Sequence, residues 1–197
     1  TVLITHRKRR SVVSRSQRLT LSTSQTVVTT PTLTPVFGVV GWKNSGKTTL
    51  TERLVSEFTA RGLTVSMVKH THHNVDVDRS GTDSYRHRAA GAQEVMLAGG
   101  SRFALMHEYR DQPEFELDEL LTRMAPCDLV LVEGFKKTPI PKLEVHRQER
   151  QTSLLAEADT TIVAIAADCE LTGLDIPVFD LNDISIIADY IWKQLHA

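Results

Sequence analysis

Residues 41–48 have the clearest chemical meaning, because their sequence GWKNSGKT matches the phosphate-binding pattern GxxxxGK[ST] at every fixed position. Glycines in such a loop leave room for phosphate oxygens, and the backbone N–H groups and the start of the next helix attract an anion. Lys47 is predicted to reach the β- and γ-phosphates, and Thr48 to place its hydroxyl on a magnesium ion. The predicted nucleotide-binding residues are Gly41, Trp42, Lys43, Asn44, Ser45, Gly46, Lys47, Thr48 and Thr49.

Two apolar segments flank this loop and are suited to position it. Residues 36–40, VFGVV, have the length and composition of a buried strand. After the loop, Leu50, Leu54 and Phe58 recur at four-residue spacing, which predicts one face of a helix that ends near Gly62. Strand, glycine-rich loop and helix therefore follow one another in the order that a nucleoside triphosphate site requires.

Another apolar strand is predicted at residues 129–132, and it ends in Glu133 and Gly134. Phosphate-loop proteins place at such a strand end the acid that supports magnesium or orients the attacking water. We therefore prefer Glu133 as the functional acid to Asp128, which opens the strand. The simpler alternative is that Glu133 ends a strand in solvent, although Gly134 would let the backbone approach a ligand closely.

A polar segment rich in His and Asp runs from Lys69 to Gly81, directly after a strand predicted at residues 64–68. Nucleotide-binding folds keep a loop that responds to the γ-phosphate at this position. Either Asp76 or Asp78 is predicted to be a carboxylate of the magnesium shell. The segment also allows a zinc or nickel site, although its spacing is not that of a standard structural zinc site. The ligands of that site would be His70, His72 and His73.

The chain has 197 residues and a formal net charge of −1, but its charge is unevenly distributed. Residues 1–34 carry six Lys or Arg, fourteen Ser or Thr and no acid, whereas the remainder has 17 basic and 24 acidic residues, a net of −7. We therefore expect no nucleic-acid partner for the acidic part. We also expect no membrane partner, because no apolar run approaches the roughly 18 residues of a membrane span. The two cysteines are far apart and are typical of free thiols in a reducing compartment.

We interpret residues 1–34 as a disordered, basic, Ser/Thr-rich extension, and residues 35–197 as one domain. The composition of the extension equally allows an organelle transit peptide. It also allows translated sequence upstream of the true start, since position 1 is not Met.

Strand-like and helix-like segments alternate through the domain, which predicts an α/β fold of the P-loop NTPase type. We expect a mainly parallel sheet with helices on both faces and a short additional β segment. The further predicted strands are 94–97, 103–106 and 162–165, and the further predicted helices are 83–90, about 117–124, and a closing helix from about Asn182, its candidate N-cap.

Three stretches together resemble the molybdopterin-guanine dinucleotide biosynthesis protein B family. They are GWKNSGKTTL (41–50), VKHTHHNVDVDRSGTDSYRHRAAGA (68–92) and DLVLVEGFKKTPIPKLEVHR (128–147). Residues 165–184 also look like the C-terminal region of that family, so the resemblance covers residues 35–195. The second stretch is far more specific than the phosphate loop. Ser80 stands where the family commonly has a Pro, which loosens the loop but removes no functional group.

The resemblance implies a GTP-binding protein with weak GTPase activity that takes part in molybdenum cofactor assembly, where a partner guanylyltransferase attaches GMP to molybdopterin. It implies GTP and Mg²⁺ as ligands and molybdopterin as a further candidate ligand. It also implies a homodimer, and with the free thiols it favours a cytoplasmic location.

The site residues implied for this chain extend the interpretation above. Thr48 and Glu133 would hold magnesium, with Asp76 beside them, and Lys47 and Glu133 would be catalytic. The residues in contact with the cofactor or partner would be His70, His72, His73, Asp78, Gly81 and Lys136. The usual guanine-reading motif NKxD does not occur in the sequence. Asp168, after the predicted strand 162–165, is our candidate to accept from guanine N1 and N2, with Asn182 and Asp183 as rivals.

Two other functions use the same phosphate loop. A metal-inserting GTPase would deliver an ion held by the histidines named above, and a small-molecule kinase would transfer the γ-phosphate to a bound acceptor. No Gln or Arg can be assigned as an accelerating group, so slow hydrolysis is expected. A scaffold with an inactive site is disfavoured, because Lys47, Thr48 and Glu133 are all in place.

Overall fold

The computed structural model describes residues 34–71 and 75–197. Its strands are β1 (Val36–Gly41), β2 (Val65–Lys69), β3 (Glu94–Ala98), β4 (Phe103–His107), β5 (Leu129–Glu133), β6 (Lys142–His146), β7 (Ile162–Ala167) and β8 (Val178–Asp180). Its helices are α1 (Lys47–Ala60), α2 (Asp83–Ala89), α3 (Leu117–Leu121) and α4 (Ile184–Leu195). Contacts group the described residues into one unit.

Six strands form one sheet in the order β2-β5-β1-β6-β7-β8, and every neighbouring pair is parallel. β1 lies inside the sheet between β5 and β6, so it is shielded on both edges. Because all six strands run the same way, their carboxyl ends meet at one edge, where ligands bind in open α/β sheets. The phosphate loop follows β1 at that edge. The predicted α/β fold with a mainly parallel sheet is confirmed.

One face of the sheet is covered by α1 and α4. Leu50, Leu54 and Phe58 of α1 are buried at the spacing predicted for them, and they pack in the same core as Ile187 and Ile191 of α4. Burying side chains of this size stabilises a fold by about 1.5–3 kcal/mol each. This face therefore anchors the helix whose start must face a nucleotide.

The opposite face is covered by a shorter helix and by a segment without long helices. The short helix α3 buries Leu117 against Val130 and Val132 of β5. Farther along the sheet, the irregular segment 148–161 covers β6 through hydrogen bonds. The carboxylate of fully buried Glu144 accepts from the backbone N–H groups of Leu155 and Ala156, each at 2.9 Å. A buried charge is tolerated only when it is paired in this way.

The short additional β segment is confirmed as the antiparallel pair of β3 and β4, which forms a separate two-stranded sheet. β6 and β8 were not predicted. Asn182 as the N-cap of the last helix was wrong, because the cap position is Asp183. The backbone carbonyl of Asn182 instead accepts from Arg53 at 2.9 Å. No helix in the described ranges has the length and hydropathy to cross a membrane.

Candidate nucleotide site

The phosphate loop runs from the end of β1 to the first turn of α1. Gly46 takes the N-cap position in a left-handed conformation, with φ +96°, and no side chain caps the helix. The first turn of α1 also contains no acidic residue. Its N–H groups and the positive helix end are therefore available to an anion. The predicted nucleotide-binding residues Gly41 to Thr49 all lie along this turn of chain.

Lys47 bends back over the loop. Its Nζ donates to the Trp42 carbonyl at 2.7 Å. Burial lowers the pKa of Lys47, helped by the nearby charges of Lys69 and Lys136 and opposed by the charge of Glu133. A phosphate anion would relieve this repulsion between ammonium groups, so the arrangement favours a polyanionic ligand.

Arg147, directly after β6, contacts the phosphate loop. Its Nε donates to the Ser45 carbonyl at 3.2 Å. The guanidinium lies so close to Gly46 that a Cβ there would be 3.1 Å from Nε. Gly46 is therefore required both for its conformation and for this contact. The hydroxyl of buried Ser45 has no hydrogen-bond partner among the described residues.

Glu133 lies beside the loop, as predicted. The Thr48 hydroxyl donates to Glu133 Oε1 at 3.0 Å, which joins the first turn of α1 to the end of β5. The Glu133 side chain is only 6% exposed, and its second oxygen has no hydrogen-bond partner within the described ranges. The Nζ of Lys69 lies 3.1 Å from Glu133 Oε1 and 3.2 Å from Thr48 Oγ1.

Asp128 has a different role at the other end of β5. Its carboxylate accepts from the Thr64 backbone at 2.8 Å and from the Thr64 hydroxyl at 2.6 Å. These hydrogen bonds, led by the one from the hydroxyl, lower the pKa of Asp128. The side chain thus ties the start of β5 to the segment before β2, far along the strand from Glu133. The geometry favours Glu133 over Asp128.

Trp42 and Lys136 also meet at the loop. Trp42 Nε1 donates to the Ser153 carbonyl at 2.8 Å, and the Lys136 ammonium lies 4.7 Å from the centre of the indole ring. This cation–π contact brings the predicted partner-binding lysine to the phosphate loop.

Gly134 permits a close approach of His70. Its φ is +100°, and a Cβ would lie 3.0 Å from His70 Cβ. The His70 backbone N–H donates to the Glu133 carbonyl at 2.8 Å, and the His70 ring lies 4.8 Å from the Phe135 ring. His70 is therefore brought to the strand end that carries Glu133.

Asp168 follows β7 at the same edge of the sheet. The Gln148 N–H donates to its carboxylate at 2.9 Å, and Arg147 Nη1 lies 3.2 Å from its other oxygen. The Gln148 hydrogen bond and the Arg147 charge lower the pKa of Asp168, against the effect of desolvation. A cleft of about 440 Å³ opens beside it, lined by residues 167–171 and 178–180.

Asp76 and Asp78 form a separate cluster with Arg88. Arg88 Nη2 lies 2.8 Å from Asp76 Oδ1, and the Asp76 carboxylate also accepts from the Asp78 N–H at 2.9 Å. Within the described ranges, the hydrogen bonds of Asp76 thus go to Asp78 and Arg88 and not to Thr48 or Glu133. This disfavours Asp76 as a magnesium-shell residue. Gly81 lies nearby with φ +90°, just before α2.

The predicted zinc or nickel site falls partly outside the described residues, because His72 and His73 do. Across residues 34–71 and 75–197, no group of three or more His, Cys, Asp or Glu side chains is arranged to hold a metal ion. That alternative stays a prediction.

Sequence comparison identifies the family of this chain. The profile described as "MobB: Molybdopterin guanine dinucleotide synthesis protein B" matches residues 36–168, from β1 to Asp168. The chain belongs to the MobB family. Two relatives are named molybdopterin-guanine dinucleotide biosynthesis adapter protein. The Haemophilus influenzae protein is 44% identical, over 82% of this chain and 90% of its own length. The Escherichia coli protein is 39% identical, over 83% of this chain and 95% of its own length.

Crystal structures of MobB proteins share the fold. The Bacillus subtilis MobB structure matches with a TM-score of 0.65 and 30% identity, covering 82% of this chain and 98% of that one. The structure of a MobB homologue from Bacillus stearothermophilus matches with a TM-score of 0.61 and 31% identity, covering 82% and 97%. The expected P-loop α/β fold is therefore confirmed at the level of the family.

Two residues of this MobB-family site were missed in the sequence. Lys69 stands one residue beyond the predicted strand 64–68, and Arg147 ends the third stretch that carries the resemblance. A basic residue at the carboxyl end of a strand was the available signal. It was too weak to use without knowing that β2 lies next to β5, and β6 next to β1.

Proposed function

We propose that the chain is a GTP-binding accessory protein of molybdopterin guanine dinucleotide biosynthesis, acting with the guanylyltransferase that attaches GMP to molybdopterin. The observation that carries the nucleotide site is the 3.0 Å hydrogen bond from Thr48 to Glu133 at the uncapped start of α1. The pathway comes from MobB family membership and from the names of the two adapter proteins.

Thr48 and Glu133 fit a magnesium ion that binds with the nucleotide. Both offer oxygen ligands, which Mg²⁺ prefers, and the second Glu133 oxygen is buried without a hydrogen-bond partner among the described residues. When bound, magnesium would neutralise charge on the phosphates. Lys47 would turn from the Trp42 carbonyl to the β- and γ-phosphates.

The hydrolytic activity that we propose is slow. Glu133 is suited to orient a water molecule, but it would also be engaged at the magnesium site. The Arg147 guanidinium is already engaged by the Ser45 carbonyl and the Asp168 carboxylate, so we do not assign it as an accelerating group. A slow hydrolase is suited to carry or time the use of GTP.

Guanine is assigned to the cleft beside Asp168. A carboxylate can accept about four hydrogen bonds, and Asp168 uses one oxygen for Gln148 and the other for Arg147. Each oxygen thus retains capacity for the guanine N1 and N2 donors. The Arg147 contact to Ser45 fixes Asp168 relative to the phosphate loop.

We propose a homodimer in the cytoplasm and a partner-facing surface around the phosphate loop. Lys136 lies at the loop and His70 at the end of β5, and both remain candidates to contact molybdopterin or the guanylyltransferase. The dimer surface is one face of the β3–β4 pair, where Met96, Phe103 and Leu105 are all exposed. A two-stranded sheet is marginal alone, and an exposed apolar face is typical of an interface.

The proposal is tested by titrating Mg·GTP and Mg·ATP into the full chain by calorimetry. Lys47→Ala should weaken GTP binding by about a hundredfold or more, since a charge-assisted phosphate contact is lost. The matched control is Lys193→Ala, which changes an exposed residue of α4 and should bind GTP as the wild type does. Equal affinity of the Lys47→Ala variant and the wild type, or no GTP binding by either, would refute the nucleotide site. A GTP titration with purified molybdopterin present then asks whether the two ligands are coupled.

A further inference from the structure

The ammonium group of Lys69 contacts both side chains assigned to magnesium, Thr48 and Glu133. Its Nζ is 3.1 Å from Glu133 Oε1 and 3.2 Å from Thr48 Oγ1. These are hydrogen-bonding distances. One monovalent cation of the protein therefore contacts the same pair of side chains that a divalent ion would contact.

The sheet itself brings this lysine to Glu133. β2 pairs with β5 in parallel, and Lys69 stands directly opposite Glu133 in that pairing. Each residue is the last of its strand, so both side chains begin at the carboxyl edge next to the phosphate loop. Backbone hydrogen bonding thus sets the starting point of the Lys69 side chain, independently of any ligand.

The two partners differ sharply in burial. The Glu133 side chain is 6% exposed, whereas that of Lys69 is 52% exposed. A buried carboxylate without a counter-charge is strongly unfavourable. An exposed lysine, in contrast, has a flexible stem and a solvent-accessible position to which its ammonium can move. The pair is therefore built so that the cation can leave while the anion stays.

We propose that Lys69 is the resident counter-cation of the magnesium site: it neutralises Glu133 in the metal-free chain and is displaced when the metal binds with nucleotide. This inference rests on the magnesium site of the proposed function. It makes Lys69 a positioning residue, which keeps the Glu133 side chain buried and aimed at Thr48 before the ligand arrives.

The displacement makes metal binding dependent on nucleotide. A metal ion that binds without nucleotide must break the Lys69–Glu133 pair with few ligands in return. With nucleotide, phosphate oxygens supply further ligands and offer the released ammonium a new anion. Lys69 thus weakens binding of free divalent ions and leaves the site to the metal–nucleotide complex.

The test measures the affinity for Mn²⁺, a paramagnetic substitute for Mg²⁺, by electron paramagnetic resonance of the free ion. Mn²⁺ is titrated into the full chain, both nucleotide-free and loaded with GDP. Lys69→Met removes the competing charge while keeping a long side chain. In the nucleotide-free state, we expect this variant to bind Mn²⁺ about tenfold more tightly than the wild type, equivalent to about 1.4 kcal/mol.

Two further variants separate displacement from a general charge effect. Lys137→Met removes a charge from an exposed lysine near the same edge and should leave the Mn²⁺ affinity unchanged. Lys69→Arg keeps the competing cation and should bind Mn²⁺ no more tightly than the wild type. It also keeps the inference testable if Lys69→Met does not fold, since tighter binding by Lys69→Arg would overturn it.

Unchanged or weaker Mn²⁺ binding by Lys69→Met would overturn the inference, and so would equal tightening by Lys137→Met. The proposed function has its own measurement, which is GDP affinity in EDTA. Absence of GDP binding there and with metal would remove the proposed function. The nucleotide-free Mn²⁺ titration would still decide the role of Lys69.

Discussion

Arg147 and Asp168 form an ion pair of 3.2 Å between the carboxyl ends of β6 and β7. The same guanidinium donates to the Ser45 carbonyl in the phosphate loop. Because these two strands are neighbours in the sheet, one side chain joins the loop that would hold phosphates to the carboxylate assigned to the base. The proposed phosphate site and the proposed base site are therefore linked through Arg147.

Arg147→Met should weaken GTP binding by about tenfold, because the Ser45 carbonyl and Asp168 both lose a charged hydrogen-bond donor, worth about 1.5–3 kcal/mol in typical proteins. The measurement is calorimetric titration with Mg·GTP. Arg150→Met is the matched control, since the one ion pair of Arg150 among the described residues is with the neighbouring Glu149 at the surface. GTP affinity that is the same in both variants and the wild type would show that the link is unimportant.

Asp168→Asn should reduce the preference for GTP over ATP. The Asn amide keeps one oxygen that accepts from the Gln148 N–H. Its NH₂ group, however, is a donor and cannot accept from guanine N1 and N2. We expect GTP affinity to fall by about tenfold or more while ATP affinity stays as it was. Competition titrations with the two nucleotides measure the ratio. A parallel loss for both would indicate that Asp168 only supports the loop.

Acid should weaken the fold in part through Asp128. Its folded-state pKa is lowered by hydrogen bonds from Thr64, so the carboxylate stabilises the fold above its ordinary pKa of 3.8. That stabilisation is lost as the pH falls below 3.8 and through the lowered value. Asp128→Asn should therefore reduce the free energy of unfolding at pH 7 and flatten its decline below pH 4, as measured by urea denaturation.

The same variant separates the two acids of β5. Asp128→Asn should bind Mg·GTP as the wild type does, because its side chain contacts Thr64 at the far end of the strand. Glu133→Gln should instead weaken Mg·GTP binding, since Thr48 would retain only an uncharged partner. The reverse pattern would exchange the roles that we assign to these residues.

Two of the predicted strands, β1 and β5, show their burial in their own composition. β1 and β5 are covered on both faces, and they appear in the sequence as continuous apolar runs. β6 has the sequence KLEVH, which alternates as a half-exposed strand would, yet all five residues are buried. Its charges are satisfied by Asp159 for Lys142 and by the backbone near Leu155 for Glu144. Those partners depend on the tertiary fold.

In the site, as in the sheet, the residues with a local sequence pattern were predictable and those that act through a neighbouring strand were not. The phosphate loop and Glu133 follow from local patterns, because a loop after a strand and an acid at a strand end keep their meaning in any strand order. Lys69 and Arg147 act only through a neighbouring strand. Lys69 meets Glu133 because β2 lies beside β5, and Arg147 meets Ser45 because β6 lies beside β1. Strand order is not written in a single sequence, so these contacts required the structure.

The β3–β4 pair predicts where the chain meets a second copy of itself. Met96 and Leu105 stand opposite each other, and Ala98 stands opposite Phe103, so these apolar side chains share one face. Phe103 is 69% exposed and Met96 59% exposed. Burying a Phe side chain at an interface typically contributes about 1.5–3 kcal/mol. A charge at its centre would add the cost of desolvation.

Phe103→Asp should therefore convert a dimer into a monomer, measured by sedimentation velocity over a range of concentrations. The wild type should sediment at twice the chain mass of 22.0 kDa, and the variant at that mass. Ile186→Asp is the control, because Ile186 is also an exposed apolar residue but lies on α4, outside the β3–β4 pair. It should remain dimeric. Loss of the dimer in the control, or its persistence in Phe103→Asp, would place the interface elsewhere.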